Sequence, residues 1–155
     1  MKLFQTLVKI VIPAVIFCTP VAAQTTSTKA LIESGRFIFK AQTVSPAYGN
    51  LRQLTPDYYT LSISKDTLVA DLPYFGRAFS APVDPTQGGL NFTATDFDYL
   101  VKNGKKAWNI SIKTRRPGDA VQFYLTVFDN GTAYLQVNSI NRQPISFNGI
   151  IEAAK

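Results

Sequence analysis

From Arg36 onward, apolar and polar residues alternate with a period of two. Phe37, Phe39 and Ala41 alternate with Arg36, Ile38 and Lys40. Tyr59, Leu61 and Ile63 alternate with Tyr58, Thr60 and Ser62, and Trp108, Ile110 and Ile112 with Asn109, Ser111 and Lys113. Successive side chains of a strand point to opposite faces, so each segment presents one apolar and one polar face. That is the pattern of antiparallel sheet with a single buried side.

The turns between these segments can be tested by register, because a slip of one residue inverts every side chain. A two-residue turn at Lys65-Asp66 pairs Ile63 with Leu68 and Leu61 with Ala70. At Asp129-Asn130-Gly131, a three-residue loop sets Leu125 opposite Leu135, Phe123 opposite Val137 and Val127 opposite Ala133. It also places Gly131 at the left-handed position such a loop requires. A two-residue turn at Asn103-Gly104 sets Tyr99 against Trp108, Phe97 against Ile110 and Asp98 against Asn109, whereas a three-residue loop would oppose Asp98 and Ile110. Pro117-Gly118 marks a further reversal, between Ile112 and Val121. Upstream, Thr25 to Ser34 has a weak helical pattern closed by Gly35. The fold class is therefore all-β: an antiparallel meander forming a lipocalin-like closed or partly closed barrel of about eight strands, with a short N-terminal helix. A two-sheet β-sandwich is the alternative.

Residues 1–23 read as a signal peptide. Lys2 and Lys9 precede and enter an apolar run from Ile10 to Phe17, and Val21-Ala22-Ala23 offers small residues for cleavage before Gln24. Pro13 and Thr19-Pro20 interrupt any membrane-spanning reading. Phe17 is too large to precede a lipid-anchored Cys18, so ordinary export to the periplasm or beyond is expected, with residues 24–155 as a single domain. Cleavage removes the only cysteine, and the chain has no histidine. Disulfides, thiolate nucleophiles, Cys/His metal sites and Ser-His-Asp triads are thereby excluded from the exported chain. No cofactor is expected. Loss of Lys2 and Lys9 takes the formal charge from +6 to +4, which is ordinary solubility and not the footprint of a nucleic-acid binder.

Two stretches stand out: "LPYFGRAFSAP", residues 72–82, and "NRQPISFNG", residues 141–149. Pro73 must end or bulge its strand, Gly76 permits a tight turn or close backbone approach, and Arg77 can stack on Tyr74 or Phe75. Arg142 is a second arginine of the same kind. Two readings use these residues. In one they are a corner and plug that closes the barrel. In the other, Tyr74, Phe75, Arg77, Trp108 and Arg142 line a pocket for a small amphipathic or apolar ligand. The inward stripe of Phe37, Phe39, Leu61, Ile110, Phe123 and Leu135 is bulky enough to fill the interior, which favours the plug.

Through Leu72-Pro73-Tyr74-Phe75-Gly76-Arg77, the Asn130-Gly131 turn, and Asn141-Arg142-Gln143 with Ile145-Ser146, the chain resembles a family of secreted Bacteroides-type proteins. That family is catalogued as domain of unknown function 4251, and the resemblance runs from about Phe37 to Ile151. It departs at Phe147, where the pattern has tyrosine. The resemblance implies an envelope or secreted location and a barrel-like fold, and carries no activity with it.

Non-catalytic binding of a small amphipathic ligand is thus the leading expectation. The alternative is a solid-cored envelope protein that docks a protein partner through outward tyrosines such as Tyr58, Tyr124 and Tyr134. A hydrolase built on Asp96 and Asp98 is the remote case, because the register puts both on the polar outer face. Lys102, Lys105 and Lys106, and Lys113, Arg115 and Arg116, are basic groups at two reversals, where charge keeps strand edges soluble.

Overall fold

The computed structural model describes residues 27–79, 89–115 and 119–154. The signal-peptide segment, Pro117-Gly118 and most of the Ser80–Gly89 connection lie outside them. Among the described residues, one short helix, α1 (Thr28–Ser34), precedes ten strands. These are β1 (Phe37–Pro46), β2 (Arg52–Gln53), β3 (Thr60–Ile63), β4 (Leu68–Leu72), β5 (Leu90–Ala94), β6 (Phe97–Asn103), β7 (Ala107–Thr114), β8 (Val121–Phe128), β9 (Thr132–Ser139) and β10 (Arg142–Ala153).

Helix α1 starts where the Ser27 hydroxyl accepts from the Ala30 N–H at 3.2 Å. It ends at Gly35, whose φ of 63° is left-handed and whose N–H donates to the Ile32 carbonyl. Leu31 and Ile32 are its buried face.

The strands hydrogen-bond in the order β5-β4-β3-β1-β10-β9-β8-β7-β6, with the short β2 beside β1, and form a nearly closed barrel. Every pairing along this path is antiparallel. The two ends of the path, β5 and β6, therefore run in the same sense. Only Thr95 and Asp96 join them, whereas a parallel crossover needs a dozen residues or more. They are two halves of one bent strand, the first half paired with β4 and the second with β7. The bend brings the sheet round on itself, and counting β5 and β6 as one strand gives the eight of a meander barrel.

The interior is packed with side chains. Phe37, Phe39, Leu61, Phe123 and Leu135 are fully buried, as is Phe147, so the position without a tyrosine hydroxyl faces core. Each such side chain contributes about 1.5–3 kcal/mol through removal from water. β1 carries a bulge between Ala41 and Thr43 opposite β10. There the β1 backbone crosses so close to Gly149 that a Cβ would overlap the Lys40 carbonyl oxygen. Only glycine fits, which explains the end of the second motif.

The β8–β9 loop is as the register predicts, with Leu125 opposite Leu135, Phe123 opposite Val137 and Gly131 at φ 82°. The β3–β4 turn likewise pairs Ile63 with Leu68. The β6–β7 turn differs. Tyr99 faces Ile112 and Asn103 faces Trp108, so the two turn residues are Lys105 and Lys106, closed by Gly104 N–H to the Ala107 carbonyl at 2.9 Å. The turn moves by two residues and the cross-strand partners by four, an even number that leaves every side chain on its own face, so alternation cannot detect it. The observed register also covers β7 to its end. A turn at Asn103-Gly104 would pair Phe97 with Ile110 and leave Ile112 and Thr114 without partners on that side.

Candidate functional site

Pro73 has no N–H to continue a ladder, and β4 stops at Leu72. The chain then crosses to the start of β10, where Ala78 bridges to Arg142. Phe79 N–H donates to the Asn141 carbonyl at 2.7 Å, and Gln143 N–H donates to the Arg77 carbonyl at 3.1 Å. The Arg77 N–H in turn donates to the Gln143 side-chain oxygen at 3.2 Å. The two sequence motifs are therefore one structural unit, a short antiparallel latch across one end of the barrel.

Tyr74 seals this latch. Its hydroxyl hydrogen is shared between the carbonyl oxygens of Arg77 at 2.9 Å and Gln143 at 3.0 Å. Burial raises the Tyr74 pKa, opposed in part by the Gln143 backbone contact and the Arg142 charge. Gly76 lies under the ring, where a Cβ would press on the Tyr74 phenol oxygen and its ring carbon. The stacking that the sequence assigns to Arg77 falls to other arginines. Arg142 lies 5.2 Å from the Tyr74 ring centroid and donates from Nη1 to the Gly89 carbonyl at 2.8 Å. Arg52 lies 4.8 Å from the Phe75 ring. Arg77 itself is exposed and contributes through its backbone. These donors and acceptors are spent on one another, which is the arrangement of a closure.

The fifth residue of the sequence-derived set is elsewhere. Trp108 sits at the opposite end of the sheet, in the row Trp108–Val127–Ala133–Gly149, while Arg142 belongs to the row that contains Ser139 and Val121. Six residues of strand separate the rows, about 20 Å. At this second end α1 covers the barrel. Between Ile32, Glu33, Ser34 and Gly35 on one side and Tyr99, Val101, Asn103 and Trp108 on the other lies a cavity of about 380 Å³. Its lining includes the aromatic residues Trp108 and Tyr99 and the aliphatic Ile32 and Val101, with Glu33, Ser34 and Asn103 as polar residues. Volumes of about 300–1,000 Å³ accommodate small molecules.

Tyr99 is unusual within this end. Its hydroxyl is shut off from solvent and has no hydrogen-bond partner among the described residues. Desolvation pushes its pKa up to about 12. The sequence places Tyr99 beside Trp108 on the inner face but gives no sign that α1 would complete a cavity with them.

The acidic pair is accounted for otherwise. Asp96 and Asp98 lie on the exposed side, and the Arg115 guanidinium pairs with both, at 3.4 Å and 2.5 Å. A smaller groove of about 270 Å³ lies on the outer face of β6–β8, lined by Leu100, Lys102, Asn109, Ser111, Tyr124 and Thr126. No helix among the described residues is long and apolar enough to cross a membrane.

The family profile described as domain of unknown function (DUF4251) matches residues 21–151, nearly the whole chain. The chain belongs to the DUF4251 family. A crystal structure of a DUF4251 family protein from Bacteroides eggerthii DSM 20697 has the same fold, with a TM-score of 0.59. The two sequences are 17% identical, over 81% of this chain and 84% of that one. No curated protein matches the chain. Within this DUF4251 chain, the motif pair that carries the family resemblance forms the latch, and the cavity lies at the other end.

Proposed function

We propose that this protein is exported to the periplasm or beyond, and there binds a small amphipathic molecule without transforming it. The cavity between α1 and the inner face of β6–β7 is the observation that carries the reading. It has the size of a ligand site, two aromatic residues in its lining and polar groups from Glu33, Ser34 and Asn103, at the one end of the barrel that the latch does not occupy. The site proposed from sequence therefore moves: Trp108 remains in it, while Tyr74, Phe75, Arg77 and Arg142 serve the closure.

Trp108 is the only tryptophan, so its indole N–H gives one resonance that reports on the cavity. Saturable movement of that resonance during titration with amphipathic probes supports the reading. A resonance that no probe moves counts against it.

A second reading, docking of an envelope protein, draws on the outer face. Tyr124 and Tyr134 are exposed there at 42% and 38%, Tyr124 in the lining of the groove that contains Leu100, and tyrosines are enriched at interfaces. Specific capture of an envelope protein that Tyr124→Ala abolishes would favour it.

A further inference from the structure

Among the described residues, the other buried hydroxyls are satisfied. The buried Thr114 Oγ1 donates to the Val121 carbonyl and accepts from the Val121 N–H, and the Tyr74 hydroxyl is shared between two carbonyls. Tyr99 breaks that pattern. Its partner across β7 is Ile112, and its neighbours on the inner face of β6 are Phe97 and Val101, none of which has a side chain that accepts a hydrogen bond. A buried hydroxyl without a partner is destabilising, and phenylalanine would fill the same space without that penalty. Stability therefore gives no reason for the hydroxyl, and Tyr99 is one of the residues that line the cavity, with its hydroxyl shut off from solvent beside it.

Resting on the cavity reading, we propose that Tyr99 recognises the bound molecule's polar end. A swing of the ring presents its O–H to an uncharged acceptor oxygen, such as a carbonyl, while Trp108, Val101 and Ile32 hold the apolar part. Glu33 at the cavity rim and the lack of any lysine or arginine among the lining residues argue for a neutral acceptor over a carboxylate. A phenol at its ordinary pKa of 10.0 is already protonated throughout the physiological range, and burial only moves that value further up, so the O–H is a donor there.

The test compares octan-2-one, octanoate and octylammonium as probes of wild type and Tyr99→Phe, read by the Trp108 indole resonance and by melting of the free proteins. The expected result is saturable binding of octan-2-one in preference to both charged probes. Tyr99→Phe should weaken octan-2-one binding about fivefold or more, the scale of one neutral hydrogen bond, and melt at the same or a higher temperature when free. Equal octan-2-one affinity in Tyr99→Phe overturns the inference while leaving the cavity reading intact. A lower melting temperature of free Tyr99→Phe also overturns it, by showing that the hydroxyl serves the fold. Failure of every probe to move Trp108 overturns the cavity reading, and this inference with it.

Discussion

Arg142→Met separates the latch from a ligand site at the first end of the barrel. Methionine keeps much of the aliphatic stem but removes the guanidinium that lies 5.2 Å from the Tyr74 centroid and donates to the Gly89 carbonyl at 2.8 Å. A partly buried cation–π contact is worth about 0.5–2 kcal/mol. A hydrogen bond from a charged donor is worth about 1.5–3 kcal/mol. The two share one group and do not add fully, so the expected loss is about 2–3 kcal/mol. At roughly 2 cal/mol/K of unfolding entropy per residue, a domain of about 130 residues loses about 3–4 °C per kcal/mol. Calorimetry of residues 24–155 should therefore show Arg142→Met melting roughly 7–11 °C below wild type. Arg77→Ala should stay within about 2 °C, because that side chain is exposed and, among the described residues, only its backbone is bonded. If Arg142→Met melts with wild type, or Arg77→Ala falls as far as Arg142→Met, the latch assignment is wrong.

Gly149→Ala forces a methyl group into the Lys40 carbonyl at the β1 bulge, so the β1–β10 ladder must part. The expected cost is about 3 kcal/mol or more, seen as a lower denaturant midpoint with unchanged slope; a midpoint like wild type would show that the bulge yields freely. Tyr99 should be the last tyrosine to ionise in an ultraviolet titration of the folded protein, near pH 12 against an ordinary 10.0. The unfolded chain releases that proton first, so this group's stabilisation is complete below pH 10 and lost as pH rises toward 12. Tyr99→Phe should flatten that limb of the stability profile, and an unchanged limb would mean the phenol is not desolvated.

Most of the fold was legible because a sheet buried on one side writes its face into every second residue. Phe37, Phe39, Leu61, Phe123 and Leu135 are inward by alternation and inward in the structure. Where the loop residue needs a special backbone, as at Gly131, even the exact register could be read. The β6–β7 turn could not, because an even-numbered slip changes no face and only the full span of β7 decides it. The site was harder. Aromatic and arginine residues in the two motifs had the right chemistry for stacking, but which arginine covers which ring depends on chain crossings at the barrel end. Trp108 and Tyr99 acquire their cavity only when α1, more than sixty residues away in sequence, lies across them.

The most direct test is native mass spectrometry of residues 24–155 recovered from the periplasm of a Bacteroides host, beside a Val101→Trp variant that fills the cavity. A bound small-molecule mass present in wild type and absent from Val101→Trp is the predicted result. A wild-type protein that carries no bound mass, or a bound mass that Val101→Trp retains, would contradict binding in this cavity.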